Sequence, residues 1–429
     1  MPSSLPAPFA EPLLPQLDVP NPFLTEKHHK VRAYTRNFVE KELLPYAQEW
    51  ETAGEIPDYV RQKYSDAGFT IVHPVIDKED AGGVTPIAGI PHNEWDTWCG
   101  MIVGDEMNRM GWCGVSWGLN GGNGIGAPPV SRFGTKEQRA RWLPKIARGE
   151  IRFCLGITEP DGGSDVANIR TTAERQGDKY IVNGSKKWIT GAIWADYVTA
   201  AVRTGGNSHG GISLLVIPLN APGVTRRRMY NQGVHASGST FITFEDVEVP
   251  VDHLLGKEND GFRLIMSNFN PERLSLATAA IRLSRVCVQD AYDYACKRET
   301  FGKKLIEHDA IRAKFAKFGQ LIEPCQAFLD QLCYVVETSC VTGKEVNVGG
   351  MTALLKVMST RCLEKCCREA QQIFGGAGYN KSGPGARVEQ ISRDVRVHVV
   401  GGGSEEIMSS LAVRQEARDV QLRAKKSKI

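Results

Sequence analysis

Apolar residues recur at intervals of three and four through the first third of the chain, as in Val31, Tyr34, Phe38, Leu43 and Leu44. That spacing predicts amphipathic helices from about His29 to Gly149. Gly82-Gly83 and a loop-like insertion from Gly89 to Trp98 interrupt them. Between Phe153 and Leu255 the period changes to two, and Tyr180-Ile181-Val182 leads into Asn183-Gly184, a pair suited to a two-residue hairpin turn. Tyr197-Val198-Thr199, Ser213 to Ile217 and Thr240 to Phe244 are further β-branched runs bounded by Gly and Pro. The helical spacing returns at Asn270-Pro271, where Asn can cap free amides and Pro suits the first helical position. It continues through Leu274, Ala277, Ile281, Val288, Ala291 and Ala295, with breaks at Gly375-Gly376-Ala377-Gly378 and Gly401-Gly402-Gly403. The order predicts an α+β fold: a helical domain at 29–152, an antiparallel β domain at 153–265 and a second helical domain at 266–418. An extended arm (1–28) and a basic tail (419–429) flank them. Strands and helices do not alternate, which argues against a doubly wound parallel sheet and its nucleotide site.

Composition removes several classes of function. The 52 basic and 49 acidic residues nearly cancel, so nothing suggests a nucleic-acid partner or a basic membrane surface. No stretch approaches the roughly 20 apolar residues of a membrane span. Eleven cysteines contain no CxxC pair or zinc-like spacing, so no metal is expected. Cys362, Cys366 and Cys367 share a helical spacing and read as small buried hydrophobes. With six prolines before Asn21 and no Lys or Arg before Lys27, the start resembles neither a signal nor a transit peptide. The expectation is therefore against a mitochondrial location. The ending Ser427-Lys428-Ile429 is close to the Ser-Lys-Leu peroxisomal address, which predicts a peroxisomal protein in a eukaryote and a cytoplasmic one otherwise.

The chemistry concentrates in the middle. Thr158-Glu159-Pro160-Asp161-Gly162-Gly163-Ser164-Asp165 joins hydroxyls to glycines that let backbone amides approach a ligand, although a plain surface turn has the same composition. Lys187-Trp188-Ile189-Thr190 then adds a flat aromatic and a hydroxyl on a strand. With these motifs the chain resembles the acyl-CoA dehydrogenase family, which carries T-E-P-x-x-G-S-D and K-x-W-I-T in this order. Phe133-Gly134-Thr135 with Gln138, Phe244-Glu245-Asp246-Val247, Arg298 to Gly302, Gln372 to Gly376 and Arg393-Asp394 extend the likeness across roughly Val31 to Arg418. The resemblance implies a C-terminal four-helix bundle and FAD as cofactor, held at Leu155, Ile157, Thr158, Gly163, Ser164, Trp188, Ile189 and Thr190. Arg298, Phe301, Gln372, Gly375 and Gly376 of one chain would grip the FAD of an adjacent chain, in a homo-oligomer built as a dimer of dimers. Ser404 and Glu406 would lie along the adenosine half. Ser164, Asn270 and Arg273 would contact the acyl-CoA substrate.

The family places its catalytic base in one of two positions. Many members have Glu in E-G-T near the carboxyl end, where this chain has Gly402-Gly403-Ser404. The isovaleryl-CoA and long-chain types place it in E-R-L after the β domain, matched here by Glu272-Arg273-Leu274. The resemblance therefore implies Glu272 as base and the Gly402 N–H as a donor to the thioester oxygen. An acidic residue in a helix's first turn is also favoured by the macrodipole alone. The expected activity is α,β-dehydrogenation of a branched-chain or long-chain acyl-CoA, with an electron-transferring flavoprotein as acceptor. An oxidase using oxygen, or a flavin-binding scaffold that has lost its activity, are the alternatives.

Overall fold

In the computed structural model, which describes residues 6–17, 19–72, 76–344 and 346–426, the period-two segments form one eight-stranded sheet. Its strands are β1 (Phe153–Gly156), β2 (Thr172–Gln176), β3 (Lys179–Ile189), β4 (Tyr197–Arg203), β5 (Ile212–Pro218), β6 (Val224–Arg228), β7 (Thr240–Pro250) and β8 (Leu254–Leu255). The order is β6-β7-β3-β2-β4-β5-β8, and most neighbours run antiparallel. β1 departs from the expected all-antiparallel arrangement: it lies parallel to β4, pairing Phe153 with Tyr197 and Gly156 with Ala200. The core beneath is built from inward residues such as Val182, Val198, Leu215, Ile242 and Phe244.

Two local expectations are corrected. Asn183-Gly184 is no hairpin turn: β3 runs straight through it, with a register shift against β7 between Val182 and Gly184. Gly184 sits at φ 140, and a Cβ there would meet Thr171 Cα at 2.7 Å, so the glycine serves a bulge. Asn183 spans to β7 instead, donating to Asp246 Oδ1 at 2.9 Å and accepting from the Asp246 N–H at 2.8 Å. The second correction concerns Asn270-Pro271. The helix begins at Gly261 and continues to Lys297 with Pro271 inside it. Proline's fixed φ is helical, so it is tolerated for the loss of one backbone bond.

By internal contact the chain divides into two compact units. One combines residues 40–95 and 113–269: the sheet, its neighbouring short helices, and the helix Cys113–Gly126. That helix lies close on β1, because a Cβ at Gly122 would come within 2.6 Å of Phe153 O. The other unit combines residues up to 39, 96–112 and 270 onward. It contains the helices Glu26–Phe38, Thr97–Asn108, Asp309–Thr342, Gly349–Phe374, Ala386–Val400 and Glu405–Lys426, with the rest of the 261–297 helix. The predicted tail from 419 is thus helical as far as Lys426, while Ser427-Lys428-Ile429 lies outside the described residues.

Residues 7–11 of the amino-terminal arm pack against the 261–297 helix. Ala7 and Ala10 are buried, and the Phe9, Ala10 and Glu11 carbonyls accept from Arg285 or Arg282.

Candidate active site

The loop 158–165 is held by a buried ion pair. Lys186 on β3, fully buried, donates to Glu159 Oε1 at 2.7 Å and to Ile157 O at 3.2 Å. The Glu159 carboxylate also accepts from the backbone N–H of Arg170 at 2.6 Å and of Thr171 at 3.0 Å. Burial works against its charge, but Lys186 and these donors hold its pKa below the usual range. The Lys187 N–H donates to Thr158 O at 2.8 Å, tying the loop to the end of β3. Beside it Trp188 has φ 65, where β3 loses register with β7 between Lys186 and Ile189. This unfavourable conformation for a bulky residue turns the indole outward, leaving it 53% exposed. Leu155 and Thr190 are half-buried, Ile157 and Ile189 buried, and Gly163 and Ser164 exposed. Nothing lies within 4 Å of a Cβ built at Gly163. An exposed indole and an open glycine backbone fit the flat ring and the phosphates of FAD.

The residues expected to reach a second chain are all at the surface. Phe301 is 97% exposed, and Arg298, Gln372, Gly375 and Gly376 are exposed as well. The Tyr294 and Phe374 rings, 4.7 Å apart, join the two segments that carry them. Ser404 is half-buried and Glu406 exposed at the start of the 405–426 helix.

Glu272 lies well inside its helix, so the first-turn explanation for an acidic residue does not apply. Its surface is partly accessible, yet burial among the helices pushes the carboxyl up to about 7 against the opposing pull of Arg273 and Lys356. Arg273, itself buried, donates to Asn270 Oδ1 and to Gly402 O, each at 3.2 Å. The structure thereby links Asn270 and Arg273 to the glycine turn after the 386–400 helix. Gly402 has φ 66, and a Cβ there would sit 2.7 Å from Leu276 Cδ1. Any residue with a side chain would be strained at that φ, and Leu276 would have to shift to admit it. Among the described residues the Gly402 N–H makes no backbone hydrogen bond.

Sequence reasoning passed over Lys356. A lone lysine within Ala353-Leu354-Leu355-Lys356-Val357 was the available signal; its side chain is fully buried and bonded to Val399 O and Gly403 O. The one metal-like cluster, His28, Asp96 and Cys99, is a helix cap among the described residues. Asp96 accepts from the Cys99 N–H at 2.9 Å, and the Lys27 ammonium stands 2.5 Å from its carboxylate, where a cation would sit. All eleven cysteines are free thiols, and Cys362, Cys366 and Cys367 are buried.

Family models match the chain in three consecutive stretches. They are described as the N-terminal domain of acyl-CoA dehydrogenase over residues 25–150, the middle domain over 154–247 and the C-terminal domain over 259–416. Acyl-CoA dehydrogenase AFT10-1 of Alternaria alternata is 45% identical, covering 96% of each chain. Acyl-CoA dehydrogenase apdG of Emericella nidulans is 42% identical over 95% of this chain and 94% of its own. The solved acyl-CoA dehydrogenase of Geobacillus kaustophilus superposes with a TM-score of 0.82 at 32% identity, covering 92% of this chain and 99% of its own.

Proposed function

Because this chain belongs to the acyl-CoA dehydrogenase family, we propose that it dehydrogenates a branched-chain or long-chain acyl-CoA to the trans-2-enoyl-CoA with Glu272 as the base. The observation that carries the reading is a carboxyl raised to about 7 in the same helical unit as a glycine turn with a spare backbone N–H. The α C–H of a thioester is far too weak an acid for an ordinary carboxylate. Burial makes Glu272 a stronger base, and the Gly402 N–H donates to the thioester oxygen as negative charge grows there. Asn270 and Arg273 orient Glu272 and the turn around the substrate. FAD, when bound at Thr158 to Ser164 and Trp188 to Thr190, supplies the acceptor of the β hydride at N5. Arg298, Phe301 and Gln372 to Gly376, all exposed, complete the FAD site of a neighbouring chain in a dimer of dimers.

The substrate class rests on the position of Glu272, shared with the isovaleryl-CoA and long-chain types. An electron-transferring flavoprotein is the proposed electron acceptor. Anaerobic mixing of the FAD-loaded protein with straight and branched acyl-CoAs tests the function. Bleaching of the flavin by at least one of them is expected, and silence across the whole panel refutes the reading. Peroxide release in air would mark an oxidase instead.

A further inference from the structure

The turn that supplies the Gly402 N–H consists of three glycines, Gly401-Gly402-Gly403, with φ 66 at Gly402 and 110 at Gly403. Without side chains such a segment has almost no packing of its own and many accessible conformations. Its geometry must come from what grips its backbone. Arg273 grips the Gly402 carbonyl from the 261–297 helix. From the opposite neighbour, the 349–374 helix, Lys356 reaches the Val399 carbonyl at 2.5 Å and the Gly403 carbonyl at 2.9 Å. It therefore bridges the last turn of the 386–400 helix and the far side of the glycine turn.

We propose that Lys356 is a positioning residue of the dehydrogenation, fixing the glycine turn so that the Gly402 N–H meets the thioester oxygen and adding positive charge on the Glu272 side of the site. The inference rests on the function proposed above. A helix C-terminus can be capped cheaply by solvent or by a glycine alone. A fully buried ammonium is a costly way to do it, and its retention is understandable where a preorganised donor is needed. The charges that act on Lys356 are Arg273 and Glu272 from the 261–297 helix and Glu405 from the 405–426 helix, while His398 of the 386–400 helix feels its charge in turn. Burial first, then Arg273, brings Lys356 down to about 8, so it is still cationic at neutral pH. The same charge pulls Glu272 downward, against burial.

Lys356→Met and Lys356→Gln, the second retaining a neutral donor, separate this role from plain packing. Both are compared with the wild-type FAD-loaded enzyme by KM, kcat, the pH profile of kcat/KM, and α-proton exchange of an acyl-CoA in D2O. The expected result is kcat and exchange lowered roughly 10- to 100-fold with KM nearly unchanged, since the lost interaction forms with the developing oxyanion. The acid limb should move to higher pH by about half a unit or more, because Glu272 loses a neighbouring cation. Variants that bind FAD and match the wild type in kcat and acid limb overturn the proposal. So do variants that fail to fold or to retain FAD in both cases, which would make Lys356 a purely structural residue. A wild type that no acyl-CoA reduces sinks the underlying function instead, so the two failures are distinguishable.

Discussion

Glu272 shows how one side chain is tuned by what surrounds it. Burial raises its pKa to about 7, so below neutrality the folded protein holds a proton there that the unfolded chain releases from about pH 4.5 upward. Because the folded pKa is the higher one, the ionised form weighs against folding. That penalty is absent below about pH 4.5 and grows as pH rises to about 7. Glu272→Gln should therefore equal or exceed the wild type in melting temperature above pH 7, with the difference fading toward pH 4.5. The same variant should keep FAD yet lose at least ~100-fold in flavin reduction by acyl-CoA, the range for removing a general base. Thermal melts of both proteins across this pH range check the first statement and rapid-reaction spectroscopy the second, and retained turnover would move the base elsewhere. Gly402 makes the complementary point, since its positive φ would strain any residue with a side chain in its place.

At the level of elements, the loop 158–165 and the end of β3 are one assembly fastened by Lys186 and Glu159. A buried ion pair adds little net stability, but breaking it strands the remaining charge. Glu159→Gln should destabilise the protein by about 3–5 kcal/mol and release FAD more readily. A double variant replacing both partners, Glu159→Gln with Lys186→Met, should recover much of the stability, as measured by denaturant unfolding. Equal losses in the single and double variants would contradict a stranded charge as the cause. The bulges of β3 belong to the same scale. Asn183-Gly184 satisfies every local criterion for a hairpin turn, but pairing with both β2 and β7 keeps the strand running and converts the pair into a bulge. Pro271 was likewise overridden: a local start signal sits inside a helix that neighbouring turns extend on both sides.

At the scale of the whole molecule, an association distant in sequence joins Glu11 to Arg109 and Arg282. Glu11 accepts from Arg109 at 2.5 and 3.0 Å and from Arg282 at 3.2 Å. Burial alone would raise its pKa, but Arg282 and Arg109 bring it down to about 2. With the folded value depressed, its contribution is fully present above about pH 4.5 and is lost as pH falls toward 2. Removing residues 1–12 should lower the melting temperature at pH 7, because Arg109, Arg282 and Arg285 lose their partners on the arm, and the gap should narrow below pH 4.5. A constant gap at every pH would show that the arm acts only by packing. Much of this protein was readable along the chain: the helix, strand, helix order follows from apolar period, and the loop 158–165, Trp188 and Glu272 stand in short motifs whose chemistry is local. What the chain order could not carry is everything decided by segments far apart in sequence. The parallel pairing of β1 with β4, the burial that makes Glu272 basic, and the grip of Arg273 and Lys356 on the glycine turn all depend on which groups folding brings within a few ångströms. Hydrogen bonds and desolvation act only over such distances, so tertiary structure alone could settle them.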